Sequence, residues 1–199
     1  MNDEATRVRQ SQQGSDEAFA GLVEAYQTHV YNLCYRMLGD SESAEDAAQE
    51  TFLRAYQSLH RYDERRPFGT WLLSIAAHYC IDRLRRRKYS LTSTDQDLGQ
   101  GTLELPDADA PNPETEILRR EQREQMQLAL DRLNPVDRAA IVLRYWQDSS
   151  EVEIAEALKL TVSAVKSRLH RARRELADHW QDEQPLRRAE RRPHESPAL

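Results

Sequence analysis

Between Val165 and Leu176 the chain sets Lys166, Arg168, Arg171, Arg173 and Arg174 against a single acid, Glu175. Side chains of this kind at this density bind polyanions. Ammonium and guanidinium groups neutralise phosphates and release counterions, and Arg can donate two parallel hydrogen bonds to a guanine edge. A second basic run, RLRRRK, closes at Lys88. Residues suited to other chemistry are not arranged for it. None of the six histidines has a Glu three positions before it, so the Glu-x-x-His pairs of a di-iron bundle are missing, as is any His-Glu-x-x-His. Cys34 and Cys80 lie far apart without a C-x-x-C, which indicates neither a disulfide scaffold nor a zinc site; on or beside apolar helix faces they read as buried, inert thiols. Trp71 and Trp146 read as core or interface aromatics. No catalytic residue, metal ligand or cofactor is expected.

The basic runs stand in an acidic chain of formal charge −6. Residues 61–88 carry +5 and residues 161–180 carry +3, while the stretch between them from 89 to 116 carries −7 and has no Lys or Arg. Such asymmetry is the footprint of polyanion binding, although solvated helix faces account for the charge taken alone. With 199 residues and 39% apolar content the chain fits one domain or two small ones, and six glycines argue against a large β-fold. No stretch approaches the roughly 20 apolar residues of a membrane helix, so no membrane insertion is expected. The amino-terminal segment lacks the apolar core of a secretory signal. A reducing cytoplasm is the expected compartment.

The elements that must position these charges are helices. Ser15 can cap a first one, along which Phe19, Leu22, Val23, Tyr26, Val30, Leu33, Cys34 and Met37 share a face up to Gly39. Ser43-Ala-Glu-Asp46 resembles a capping box and opens a second, with Ala44, Ala47, Ala48, Thr51, Phe52, Ala55 and Leu59 inward and Glu45, Asp46, Gln49 and Glu50 outward or flanking. After a charged loop at 61–67, a third helix runs from about Phe68 to Lys88. These make a three-helix bundle over 15–88. Residues 89–111 have a linker's composition. Asn112-Pro113 and Asn134-Pro135 each open a helix, Ser150 to Glu153 is a capping box, and Thr161 caps the helix holding the first basic run. The expected fold is therefore all-α: two small helical domains, 15–88 and 112–180, an acidic flexible linker, and a disordered tail over 181–199.

In the last helix Val165, Leu169, Ala172 and Leu176 share one face, and Lys166, Ser167, His170, Arg171 and Arg174 occupy the other. The short helix EVEIAEAL precedes it through the tight connection KLT, which is helix-turn-helix geometry, with the second helix entering the major groove. The stretch EIAEALKLTVSAVKSRLHRAR resembles the C-terminal promoter-binding region of the extracytoplasmic-function (group 4) sigma factors of the sigma-70 family. AEDAAQETFLRAY and FGTWLLSIAAHYCIDRLRRRK resemble their N-terminal region. The resemblance covers about residues 17–88 and 117–178, in the family's order.

It implies an alternative sigma factor that binds core RNA polymerase through the β′ coiled coil and the β subunit, binds promoter DNA, and is held by a cognate anti-sigma factor. Asp46, Gln49 and Glu50 would touch the β′ coiled coil. Tyr62 would stack on an unstacked base of the −10 element, His78 would lie beside that base, and Arg83, Arg85, Arg86 and Arg87 would hold the DNA backbone. Lys166, Ser167, His170, Arg171 and Arg174 would meet the −35 element. The chain departs from the family pattern at His78, where Asn is usual, at Lys159, where a turn Gly is frequent, and at Ser163-Ala164, where Gly-Thr is common. The competing reading is a dimeric helix-turn-helix repressor or activator that never joins polymerase. It accounts for the second half and leaves DAAQE and the aromatic, basic first half without a purpose.

Overall fold

The computed structural model describes residues 3–91 and 113–190, with side chains over 4–88 and 119–180. Among the described residues all regular structure is helical. Its elements are α1 (Asp3–Gln12), α2 (Asp16–Leu38), α3 (Ser41–Ser58), a 3-10 turn (Leu59–Arg61), α4 (Phe68–Leu91), α5 (Pro113–Arg132), α6 (Pro135–Trp146), α7 (Glu151–Leu158) and α8 (Val162–Glu190).

The first bundle is α2, α3 and α4. Ser15 caps α2 by accepting from the Ala18 N–H, and Gly39 ends it in a left-handed conformation (φ 88°) with its own N–H on Tyr35 O at 2.8 Å. The chain turns at once into α3, which starts earlier than the Ser43 signal suggested. Asp40 is the N-cap, accepting from the Ser43 N–H at 2.7 Å, because a carboxylate at the positive end of a helix outcompetes a hydroxyl further in. Leu22, Val30, Leu33, Met37 and Leu72 are fully buried between these helices.

Helix α1 was not anticipated from the sequence, since Val8 is the only large apolar residue on it and it has no helical apolar period. Specific anchors hold it instead. Val8 is buried, Arg7 Nη1 donates to Gly21 O at 3.1 Å, and Gln12 Nε2 donates to the carbonyls of Leu59 and Tyr62. A Cβ at Gly21 would lie 2.8 Å from Arg7 Nη1, so the missing side chain lets this anchor approach.

Helices α5 to α8 form the second module. Asn134 caps α6 through Oδ1, with Pro135 at the first helical position. The Ser150–Glu153 capping box is complete. Lys159 ends α7 in the left-handed region (φ 55°, ψ 46°), the conformation that the family's frequent glycine adopts freely. Thr161 Oγ1 accepts from the Ala164 N–H at the head of α8. Two ends lie beyond the expected boundaries. Tyr89–Leu91 continue α4 rather than starting a linker, and α8 runs past residue 180 to Glu190, with Leu176 and His179 still packed on the body. The rest of the expected linker, the Asn112 cap and residues 191–199 lie outside the described residues.

The two halves meet. Helix α4 buries two adjacent stripes, Leu72-Ala76-Cys80 and Leu73-Ala77-Ile81, and packs on α2 and α3 as well as on α6 and α7. A helix in one three-helix bundle needs a single stripe; two match its place between two layers. Arg138 of α6 is 4% exposed, donates to Met37 O in the last turn of α2 at 2.7 Å, and pairs with Asp131 at 2.8 Å. Around it Gln127 donates to Arg36 O, Gln147 donates to His29 O, Arg66 pairs with Glu156 at 2.9 Å, and the Arg36 guanidinium lies 5.1 Å from the Trp146 ring centroid.

Two substitutions test the local rules at α7. Ser150→Ala should lower unfolding free energy by about 1 kcal/mol, and Lys159→Gly should raise it by roughly 0.5–1 kcal/mol. Denaturant melts of the whole chain check both, with the exposed Val152→Ala expected to change little. Hydrogen bonds from Ser150 hold the Glu153 carboxyl below the usual range. Its contribution is therefore present above the unfolded value of about 4.3 and lost as pH falls through the lowered folded value. The advantage of the wild-type chain over Glu153→Ala should shrink on acidification below about pH 4.

Candidate nucleic-acid interface

Helices α7 and α8 form the helix-turn-helix. Ile154, Ala155, Ala157 and Leu158 of α7 and Val165, Leu169 and Ala172 of α8 are buried, so the pair is locked by its apolar faces. Lys166, Ser167, His170, Arg171 and Arg174 are all exposed along α8, as the spacing predicts. Lys166 Nζ lies 3.6 Å from Glu151, an exposed and therefore exchangeable pair. The Ser167 hydroxyl donates back to Ser163 O.

Arg171 is exposed yet engaged. Its Nε donates to Asp137 Oδ2 at 2.9 Å and its Nη2 to Oδ1 at 3.3 Å, while Arg168 Nη1 reaches the same Oδ1 at 2.7 Å. Asp137 belongs to the first turn of α6, its side chain is 0% exposed, and Asn134 Nδ2 gives it a further hydrogen bond at 2.6 Å. Burial pushes this carboxyl up, but the hydrogen bonds from Arg171, Arg168 and Asn134 outweigh it and hold the group below the usual carboxylate range. The same contacts raise Arg171. Sequence reasoning missed Asp137 because one acid in a helical first turn reads as a dipole partner. Its burial depends on α8, far along the chain.

On the first bundle, Asp46 and Gln49 are exposed on α3 and Glu50 is half-buried, with Arg54 Nε on its Oε1 at 2.7 Å. Leu53, 51% exposed, continues the same face one turn on. Arg83 of α4 reaches this helix, donating to the Ser43 hydroxyl at 2.9 Å and lying 3.8 Å from Asp46. The expected polymerase-binding and −10 sets are thus adjacent there. Arg85 lies 3.9 Å from Asp82, and Arg86 and Arg87 are exposed.

Tyr62 is enclosed rather than open in this arrangement. It is 8% exposed, its ring lies 5.0 Å from Trp71 and 5.6 Å edge-on to Phe68 by centroids, and its hydroxyl donates to Arg66 O. With two aromatic neighbours, the ring is packed in the core in this arrangement rather than open to a base. His78 is half-buried, and its Nδ1 lies 2.8 Å from Ser74 O. A carbonyl only accepts, so Nδ1 donates in this contact, and Nε2 is left outside it.

Cys34 and Cys80 are both buried free thiols and meet in the first core. The hydrogen bond with Cys34 and then burial push the Cys80 thiol far up, which disfavours the reactive thiolate. Among the described residues no group of three His, Cys, Asp or Glu is placed to hold a metal ion, and no helix is long and apolar enough to cross a membrane.

Comparison with known proteins agrees with this geometry. Residues 22–89 match sigma-70 region 2, and residues 123–176 match sigma-70 region 4. The ECF RNA polymerase sigma factor SigW of Bacillus subtilis is 37% identical, over 88% of this chain and 96% of that protein. SigX of the same organism is 32% identical, over 83% and 85%. Among solved structures, CnrH in complex with the cytosolic domain of CnrY shares the fold with a TM-score of 0.68 at 23% identity, covering 91% of this chain and 99% of that one. RpoE of Bartonella quintana, in complex with the anti-sigma factor NepR, does so with a TM-score of 0.65 at 18% identity, covering 82% and 96%. The chain belongs to the sigma-70 family, in its extracytoplasmic-function group: it is an alternative sigma factor, not an enzyme, that binds core RNA polymerase, recognises −10 and −35 promoter elements and promotes transcription initiation.

Proposed function

We propose that the work of this sigma factor is divided between units 15–88 and 112–180, which separate on core polymerase. The carrying observation is the pairing of α7 and α8, which leaves Lys166, Ser167, His170 and Arg174 outward on one basic face. That face enters the major groove of the −35 element, and the first three turns of α8 address base edges. On α3, Asp46, Gln49 and Glu50 dock on the β′ coiled coil. Arg83, Arg85, Arg86 and Arg87 hold the −10 DNA backbone, and His78 offers Nε2 to an unstacked base. Tyr62 contributes to that site only after its aromatic cluster rearranges.

The closed arrangement is a resting form. Elements at −10 and −35 lie about 85 Å apart along B-form duplex, whereas α4 packs directly on α6 and α7. A fully extended 92–112 segment reaches about 70 Å, enough with the breadth of the two units to cover that span. The CnrH structure is a complex with the cytosolic domain of CnrY, and that of RpoE of Bartonella quintana a complex with the anti-sigma factor NepR. A cognate anti-sigma factor acting on this chain in the cytoplasm is the corresponding reading.

Gln49→Ala/Glu50→Ala leaves every core residue in place, so the double variant should melt like the parent and bind core polymerase at least tenfold more weakly in a titration. Equal binding would remove the α3 assignment. For opening, donor and acceptor dyes on exposed Gln57 and Asp178 should report one short distance in the free chain and a longer one with core polymerase and promoter. An unchanged distance on the promoter complex would refute separation.

A further inference from the structure

We infer that Asp137 is a specificity-positioning residue: it grips Arg171 by the Nε/Nη2 edge and thereby presents the opposite, Nη1/Nη2 end of the guanidinium to a guanine of the −35 element. This rests on α8 being the helix that enters the −35 groove. A guanidinium is a planar fork with two usable edges, the side edge through Nε and Nη2 and the end through Nη1 and Nη2. Asp137 occupies the side edge with both of its oxygens, at 2.9 and 3.3 Å. The hydrogens of the end are untouched by that contact, and the side chain remains 59% exposed.

The grip is itself fixed. Asp137 is fully buried, Asn134 Nδ2 holds Oδ2 at 2.6 Å, and the α6 N–H of Asp137 is tied to the Asn134 cap at 3.0 Å. Arg168 supplies a second positive charge at Oδ1, 2.7 Å away, so the buried carboxylate stays compensated while Arg171 is in the groove. An unheld Arg samples many rotamers, and ordering it on DNA opposes binding; one held by two bonds meets the base with that ordering already done. A mere structural bridge between α6 and α8 needs one Arg. Arg168, only 28% exposed, already serves as that bridge. The further bidentate hold on an exposed Arg of the reading face is what a structural role leaves without a purpose. Bidentate reading of guanine O6 and N7 discriminates against the wrong base by roughly 5- to 150-fold, and Asp137 is the residue on which that factor depends.

The test uses full-length protein with core polymerase, measuring promoter binding across a set in which each −35 position carries each base pair, at several salt concentrations. Wild type should prefer guanine at one position within the range above. Asp137→Asn keeps the shape and removes the charge, and Arg171→Lys keeps the charge and removes the fork. Each should abolish most of that preference at the one position while leaving preferences elsewhere in place, and the double variant should lose no more than either single. Arg168→Ala should retain the preference. If Asp137→Asn fails to fold by its melting curve, Arg171→Lys decides alone. An unchanged preference profile in Arg171→Lys, or in a folded Asp137→Asn, overturns the inference. So does an equal loss at every position with the salt slope shallower by about one, the mark of a phosphate contact. Lys166→Ala separates this failure from failure of the underlying reading. If α8 is not the −35 helix, Lys166→Ala also leaves upstream-element binding intact, whereas failure of the Asp137 inference alone leaves the Lys166 effect standing.

Discussion

Two charged neighbours, Asp137 and Arg138, are buried in the first turn of α6, and the placement of everything around them follows from how they are satisfied. An unpaired buried charge destabilises a fold by several kcal/mol, so each must find partners wherever α6 goes. Asp137 finds Arg168 and Arg171 on α8. Arg138 finds Asp131 on α5 and the Met37 carbonyl at the end of α2. One helical turn thus sets the reading helix relative to its module and ties that module to the first bundle. The Asn134 cap and Pro135 fix where that turn begins, which makes a two-residue sequence signal responsible for long-range geometry.

The two ties differ in kind. The Asp137 network lies wholly within the second module and survives any separation of the halves. The Arg138 bond to Met37 O crosses between halves and replaces a water-facing state that a guanidinium finds favourable. Once the halves part, Arg138 keeps Asp131 and gains solvent, while Met37 O is one of the helix-terminal carbonyls that water satisfies readily. A buried ion pair is weak evidence of stability against the alternative of hydration. The polar part of the contact between halves is therefore specific in geometry and modest in strength, which is compatible with the proposed separation.

How much was legible in the sequence follows the range of the forces. Caps act within one turn, so Ser15, Asn134, Ser150 and Thr161 were readable from residue type and spacing, and each is where it was expected. The apolar stripes of α2 and α8 were readable for the same reason. Asp40, not the expected Ser43, caps α3, and Ser43 instead supplies the backbone N–H that the Asp40 carboxylate holds. Helix α1 was missed because its anchors are bonds to Gly21, Leu59 and Tyr62 rather than a periodic face. The enclosure of Tyr62 was not legible, because a loop aromatic looks available until Phe68 and Trp71 are placed around it. The second stripe of α4, Leu73-Ala77-Ile81, was in plain view, but its meaning required knowing that another module lay against it.

The distribution of charge completes the argument. A chain of net charge −6 is repelled by DNA at long range, and several of the cations proposed to meet DNA already have acids of their own. Lys166 has Glu151, Arg83 has Asp46, Arg85 has Asp82 and Arg171 has Asp137. The first three are exposed pairs of the kind that contributes at most about 1 kcal/mol, so a phosphate displaces the carboxylate readily once it is brought close. Until then each pair reduces the attraction of free protein for arbitrary duplex. Weak affinity alone and strong affinity when polymerase holds the DNA nearby is what an initiation factor requires, since a sigma factor that coated the chromosome unaided would occupy promoters without the enzyme. Asp137 is the exception among the four. Its carboxylate is buried and accepts four hydrogen bonds from three side chains, so phosphate does not displace it readily from Arg171.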